Sequence, residues 1–466
     1  MIQDRRLSNL ARLRSERWDV LVVGGGINGA GIARDLVLRE AGLKVALVEK
    51  DHFASGTSGR NSQLIHGGLR YLKYFDFGLV SDALHERATL LRVAPGLVQP
   101  LEFLIPCYGK TDRWFYGAGL TLYDALAGGR NIGHHRALSG AETAKLEPEL
   151  ARDDLRAGLL FFDGKVHSAR LVIENILDAE AHGACVVNYA GARWTPGEVE
   201  IRDTLTGEEF PIRAKKIVNA TGAWSTGAPL RLVRGSHLIY PRIQKGSEAI
   251  AYFDEKGRII FFIPWGENDD LTLVGTTDID HTTGPEDVRI SDGERSYLKS
   301  IVARLFPAFR GEAITSYSSL RPLLAESGRS ATATSREHRI WETADGVLHI
   351  SGGKYTTYRE MSEELVDTLL RDVAPGRDLP CRTATTPLPG FTPPKEMAPR
   401  VEMAVEREFA RRLQDVLYVS TYWGHERHLD RAWLEPVARE MQELLWWTED
   451  RTAREISFCV EQQGLP

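Results

Sequence analysis

Residues 18–50 begin Trp18-Asp-Val-Leu-Val-Val-Gly24-Gly-Gly26-Ile-Asn-Gly29-Ala-Gly-Ile-Ala-Arg-Asp-Leu-Val-Leu38 and close on Lys44-Val-Ala-Leu-Val-Glu49-Lys50. Val20 to Val23 is a short, β-branched apolar run bounded by glycines, which predicts a strand buried on both faces. Gly24, Gly26 and Gly29 form G-x-G-x-x-G, followed by a helix-compatible segment with apolar positions at Ile32, Leu36 and Leu38. A second buried strand, 44–48, ends on an acid, Glu49. Gly24 permits a tight turn, Gly26 lets backbone N–H groups approach a pyrophosphate, and Gly29 lets helix and strand pack closely. The helix N-terminus offers N–H donors and a positive dipole end to phosphate, and Glu49 is positioned to accept from a ribose 2′-hydroxyl. That acid disfavours a 2′-phosphate. The stretch therefore predicts a site for NAD or FAD.

The rest of the composition narrows the class. The 466 residues suffice for two or three domains with a large core. A formal net charge of −6 gives no electrostatic reason to expect nucleic acid. Cys107, Cys185, Cys381 and Cys459 are far apart, which excludes a local zinc or C-x-x-C motif and fits a reduced, cytoplasmic setting. No signal peptide is expected in residues 1–17, and the apolar run 259–263 is far too short to span a bilayer. Five arginines among Ile2, Leu7, Leu10 and Leu13 leave two readings for the N-terminal segment. It lies on an anionic membrane as an amphipathic helix, or it is a leader helix packed by its leucines.

Along the chain, residues 51–71 are dense in glycine and small hydroxylated residues and specify no ordinary element. Such a segment can thread close to a flat ligand, and loops of this length are usually functional. Helices are predicted over 77–93 and 169–181. A strand is expected at 184–189 and a hairpin at 199–212, turning at Thr206-Gly207. Asn219-Ala220-Thr221-Gly222 follows a strand and marks a second close backbone approach. Alternating strands at 236–240, 249–253, 259–263 and 271–274 suggest a second sheet forming a substrate wall. The strand, glycine turn, helix pattern returns at 348–370. Residues 387–394 read as a linker, and a helical domain is expected beyond it. There, Val405, Phe409, Leu413, Val416 and Leu417 fall on one helical face, as do Leu434, Val437, Met441, Leu444 and Leu445.

Taken together, the glycine unit, Thr57-Ser58, Leu64-Ile-His66-Gly67-Gly-Leu-Arg70-Tyr71, Asn219-Ala-Thr-Gly222, Gly235-Ser-His237, Gly275-Thr-Thr-Asp278, Leu320-Arg321-Pro-Leu and Gly352-Gly353-Lys354-Tyr-Thr356-Thr strongly resemble the FAD-dependent glycerol-3-phosphate dehydrogenases. The resemblance implies an α/β fold: an interrupted Rossmann-type FAD-binding domain, an antiparallel-sheet substrate domain, and a small all-α C-terminal domain, the architecture shared with glycine oxidase and D-amino-acid oxidase. The boundaries it implies are 1–385 for the oxidoreductase unit and 395–466 for the helical domain. FAD binding would occupy about 18–90, 155–225 and 340–375, with the substrate cap at about 91–154 and 226–339.

The implied activity is oxidation of sn-glycerol 3-phosphate to dihydroxyacetone phosphate, with electrons passed from FAD to a membrane quinone by a peripheral membrane protein, often a homodimer. No metal is implied. Carried over by position, Gly24, Gly26, Asn28, Gly29, Glu49 and Lys50 would hold the ADP half of FAD. Thr57, Ser58, Ser62, Leu64, His66 and Gly67 would run along the ribityl chain and flavin, with Thr221 and Gly222 approaching from a second side. Gly353, Lys354 and Thr356 would lie near the flavin pyrimidine. Substrate would meet Arg70, Tyr71, His237, Arg321, Arg336 and Lys354, arginine forks suiting a phosphate dianion. His237 is the expected base for the C2 hydroxyl, with His66 the alternative, and Arg321 or Lys354 would lower the hydroxyl's pKa.

The chain departs from the family pattern at Ser319 (usually glycine), at Gln63 (commonly lysine), and across Phe161-Phe-Asp-Gly-Lys-Val-His167-Ser168-Ala-Arg170, where acidic or amide residues commonly precede Ala-Arg. The readings these features leave open are an oxygen-using glycerol-3-phosphate oxidase, an amine or amino-acid oxidase, and a non-catalytic flavin-binding protein.

Overall fold

The computed structural model describes residues 5–225, 230–324, 337–390 and 392–464. The central strand, Arg17–Val23, pairs in parallel with Val45–Val48 on one side and Glu209–Asn219 on the other. Cys185–Val187 and Val347–Gly352 extend the sheet outward in parallel, and His338–Glu342 closes one edge antiparallel. Its strands thus come from three separate stretches of chain. The period-two alternation of a strand divides its side chains between two cores. Val20, Val22, Val45 and Leu47 pack under helix Ile27–Leu38. Leu21, Val23, Ala46 and Val48 face the other way, against the meander 190–212 and the N-terminal helix Arg5–Ser15.

That helix resolves one of the two N-terminal readings. Leu10 and Leu13 are buried in the second core, and Arg6, also buried, donates to Asp203 and to the Asn188 carbonyl. It is a packed leader helix. Ile2 lies outside the described residues.

The second sheet contains the four strands expected from alternation, observed as Leu230–Pro241, Ala249–Phe253, Ile259–Trp265 and Leu271–Gly275, and it recruits more. Thr315–Leu324 pairs antiparallel with residues 230–239 of Leu230–Pro241. Val98–Cys107 joins Ala249–Phe253 in parallel, so the sheet is antiparallel with one parallel pair among the described strands. Ala157–Val166 and the two-residue strand Leu64–Ile65 complete that edge. Strand Leu64–Ile65 is the one regular element in the glycine- and hydroxyl-rich segment before its 3-10 turn at Leu69–Tyr74.

Beyond residue 390 the chain forms helices with their own core, including Val401, Leu413, Leu434, Val437 and Met441. The single helical face expected from Val405 to Leu417 is broken. Helix Met397–Glu406 ends, Phe409 takes φ +64°, and a short helix resumes at Leu413. A tertiary contact overrides the local period: Phe409 meets Phe53 edge-on at 5.8 Å, and its carbonyl accepts from Asn188. Two buried pairs tie this region to the rest, Arg170 with Glu408 and the Tyr189 hydroxyl with Asp415. The predicted linker is anchored at Leu388, whose N–H donates to the Val93 carbonyl and whose side chain is buried.

Arg6→Ala should cost about 3–5 kcal/mol, because it leaves Asp203 buried without its partner. Leu7→Ala, on the exposed face, should be close to neutral. Urea unfolding midpoints of the two variants test the assignment of this helix to the core.

Candidate active site

One cavity of about 560 Å³ runs from the glycine turn to the face of the second sheet. Its nucleotide end is shaped by absent side chains. Gly24 has φ +113°, and a Cβ there would stand 2.5 Å from the Ala220 carbonyl oxygen. A Cβ on Gly29 would overlap the Gly24 carbonyl oxygen, so strand and helix require glycine at both positions. Gly26 differs. A Cβ there would meet only Ser58 Oγ, at 3.1 Å, and otherwise face the cavity. Ser58 accepts from the Ile27 N–H at 2.9 Å, pinning its loop to the helix N-terminus. Glu49 accepts from the Gly25 and Asp51 N–H groups at 2.7 and 3.0 Å; burial pushes its carboxyl up, against those two bonds. Lys50 pairs with Asp51 and lies over Trp224.

Residues 57–68 cross the middle. Thr57 donates to the Leu320 carbonyl, and the Asn61 carbonyl accepts from the Tyr317 hydroxyl. The His66 N–H and C=O both meet the Thr356 hydroxyl at 3.1 Å. The Gly67 N–H points away from the cavity, to the Tyr123 hydroxyl at 2.8 Å, which in turn donates to Asp163. Asp163 is held by the buried Arg87 at 2.7 Å. This Arg87–Asp163–Tyr123 support was not anticipated from sequence.

At the far end, His237 lies on Leu230–Pro241 opposite Gly275 and Tyr317, and a Cβ on Gly275 would overlap its ring. Its Nε2 is 3.0 Å from Ser62 Oγ. Its Nδ1 is buried with no hydrogen-bond partner among the described residues. Burial first, and the Arg321 charge second, bring His237 down to about 3, so the ring is neutral near pH 7. Arg321 lies against Gly235 and is not a lone cation: Nη1 donates to Asp278 Oδ1 at 2.9 Å and to the Thr277 carbonyl, and Nη2 to Thr276 Oγ1. The motif Gly275-Thr-Thr-Asp278 contained this counter-ion; its pairing across 43 positions did not appear in any local pattern. Lys354, buried, donates to the Gly67 and Leu79 carbonyls and sits 4.4 Å from the Tyr71 ring centre.

All the residues anticipated for cofactor and substrate line this cavity except four. Gly29 packs helix on strand, and Gly67 is turned inward. Arg336 and the side chain of Arg70 lie outside the described residues. Ser319 is on the cavity wall. Gln63 is not: it is buried and turned away, accepting from the Ser168 N–H at 2.8 Å. Two of the departures from the family pattern therefore touch one another. Among the described residues, no group of histidine, cysteine and acidic side chains could hold a metal.

Two predictions follow from this geometry. Gly29→Ala should yield protein with little bound flavin, read from the ratio of visible to ultraviolet absorbance. His167, His237 and His425 are each brought down to about 3, by burial above all. Between pH about 6.5 and 3 the unfolded chain binds protons there that the folded chain does not. This contribution to stability is complete above about pH 6.5 and lost as pH falls towards 3. His425→Gln should flatten the fall of the urea midpoint over that window.

Residues 19–359 match the FAD dependent oxidoreductase family. The glycerol-3-phosphate dehydrogenase of Synechocystis sp. is 38% identical over 427 residues, covering 82% of this chain and 75% of that protein. The aerobic glycerol-3-phosphate dehydrogenase of Bacillus subtilis is 35% identical over 413 residues, covering 83% and 73%. Among solved structures, the glycerol-3-phosphate dehydrogenase of Bacillus halodurans complexed with FAD superposes with a TM-score of 0.79 at 26% identity, covering 98% of this chain and 96% of that one. With the glycine turn, the hydroxyl-rich loop and the His237–Arg321–Lys354 end on one cavity, the chain belongs to the FAD-dependent glycerol-3-phosphate dehydrogenase family.

Proposed function

We infer that this protein oxidises sn-glycerol 3-phosphate to dihydroxyacetone phosphate using FAD, and returns the electrons to a membrane quinone. The observation that carries this is the continuity of one cavity from Glu49 to His237 and Arg321. The residues fit the cofactor: the missing Cβ of Gly26 leaves room beside a helix N-terminus, where the dipole favours a pyrophosphate. Gly24, Gly26, Asn28, Glu49 and Lys50 would hold the ADP half. Thr57, Ser58, Ser62, Leu64, His66 and the 353–356 turn would hold the ring. Bound FAD supplies the acceptor for the hydride leaving C2 of the substrate.

The chain's own residues do the rest. His237, neutral and buried, takes the proton of the C2 hydroxyl at Nε2, the nitrogen beside Ser62. Arg321, fixed by Asp278, Thr276 and Thr277, presents an oriented positive dipole to the developing alkoxide and to the phosphate without reorganising. Lys354 adds charge at the same end, held over Tyr71. Arg70 and Arg336 complete the phosphate clamp in this reading.

For membrane contact, the support is a set of exposed aromatic side chains. Phe75, Trp114 and Phe115 are 78%, 76% and 63% exposed, Trp114 and Phe115 on helix Asp112–Ala127. Exposed aromatics of this kind favour the headgroup level of a bilayer. No described helix is long and apolar enough to cross one. Of the two tryptophans at 446–447, only Trp446 is exposed. The homodimer and the quinone belong to the same reading.

With glycerol 3-phosphate and a quinone analogue, His237→Ala should lower kcat by about 10²–10⁴-fold. Arg321→Ala should raise KM by an amount equivalent to about 1.5–3 kcal/mol. Wild-type kinetics in both variants would remove these roles. Stoichiometric peroxide without quinone reduction would make oxygen the acceptor. Vesicle sedimentation of Trp114→Ser/Phe115→Ser should show lost binding to anionic lipid, and unchanged binding would exclude that face.

A further inference from the structure

The helical C-terminal region looks remote from the chemistry in sequence, yet one of its side chains reaches the loop that carries Ser62. Tyr422 has φ +65°, in the left-handed region that large side chains seldom adopt. That backbone sends its ring between His167 and Trp265, stacked at 3.9 Å and 5.3 Å between ring centres. The buried hydroxyl meets four groups from two distant segments. It lies 3.3 Å from the Gly59 carbonyl and from Gln63 Oε1, 3.2 Å from Ser168 Oγ, and 3.0 Å from the Ala169 N–H. Gln63 also accepts from the Ser168 N–H, and Tyr355, on the cavity wall, donates to the Ser168 carbonyl.

Gly59 and Gln63 bracket Ser62, whose hydroxyl is 3.0 Å from His237 Nε2. The ring behind His237 leads to the same region: Tyr317 packs on His237 at 4.9 Å and on His425 at 4.8 Å. Thr315, two residues from Tyr317, donates to the His425 carbonyl.

We propose that Tyr422 is a positioning residue for the reaction: by holding the Gly59–Gln63 turn, the C-terminal region sets Ser62 against His237. This rests on the reading of His237 as the base. The bond network is geometric rather than merely adhesive, because a buried hydroxyl with several partners fixes one loop conformation where apolar packing would tolerate several. Tyr422 touches no reacting atom.

The test is Tyr422→Phe, which keeps the stack and removes the hydroxyl, compared with Met441→Ala, which opens the core of the same helical region. Both are expected to lower Tm. Only Tyr422→Phe should lower kcat for glycerol 3-phosphate, by about tenfold, with KM within about twofold. In the FAD-free protein it should also speed amide hydrogen exchange across residues 59–64 by about tenfold, and Met441→Ala should not. The proposal fails if both variants lose only stability, or if Tyr422→Phe matches wild type in kcat and loop exchange. A wild-type enzyme without turnover of glycerol 3-phosphate would overturn the functional reading instead, and the exchange comparison would still decide the positioning role.

Discussion

What this fold must accomplish physically is to hold one irregular segment, residues 57–68, between two sheets. Such a segment supplies few ladder bonds of its own, so its polar groups have to be satisfied from outside. The surrounding elements do this one at a time. Helix Ile27–Leu38 donates to Ser58, the second sheet accepts from Thr57 and donates to Asn61, and Thr356 clasps His66. Tyr123 takes the Gly67 N–H, and the C-terminal region takes Gly59 and Gln63. The loop is thereby a shared wall. Its outer groups are spent on the protein, leaving Ser58, Ser62, Leu64 and His66 along the cavity.

Buried charge is handled by the same economy of pairing. Arg87 with Asp163 and Arg170 with Glu408 are each taken out of water together, while Arg321, still partly open to the cavity, is paired with the buried Asp278. A buried pair is weak evidence for stability, since desolvation opposes its attraction, but breaking one is costly. The value of Arg321–Asp278 is orientation. A planar fork tied at both ends cannot swing away when substrate arrives, and donors that need no reorganisation are the ones that stabilise developing charge. The neutral state of His237 follows from the same dry surroundings.

How much of this could be read from the chain depended on sequence separation. The glycine turn was legible because Gly24, Gly26 and Gly29 act within six residues, and the strands at 236–274 were legible because alternation is local. Helix 77–93 was likewise predicted as observed. The break at Phe409 was not, because Phe53 and Asn188 impose it from elsewhere. Asp278 was quoted inside a motif without its partner. Gln63, where the family commonly has lysine, is turned towards Ser168 and Tyr422, over 100 and 350 positions away, which no local pattern shows. Local pattern marked the glycine turn and the strands, the family resemblance supplied most of the cavity-lining residues, and long-range pairing decided how those groups are held.

The central claim is that this cavity brings a flavin and glycerol 3-phosphate together at His237. The most direct measurement is anaerobic rapid mixing of the yellow protein with glycerol 3-phosphate, following the flavin's visible band. The account predicts that the band bleaches fully in the wild type, saturably with substrate, and far more slowly in His237→Ala. A band unchanged by glycerol 3-phosphate in flavin-loaded wild type would contradict it.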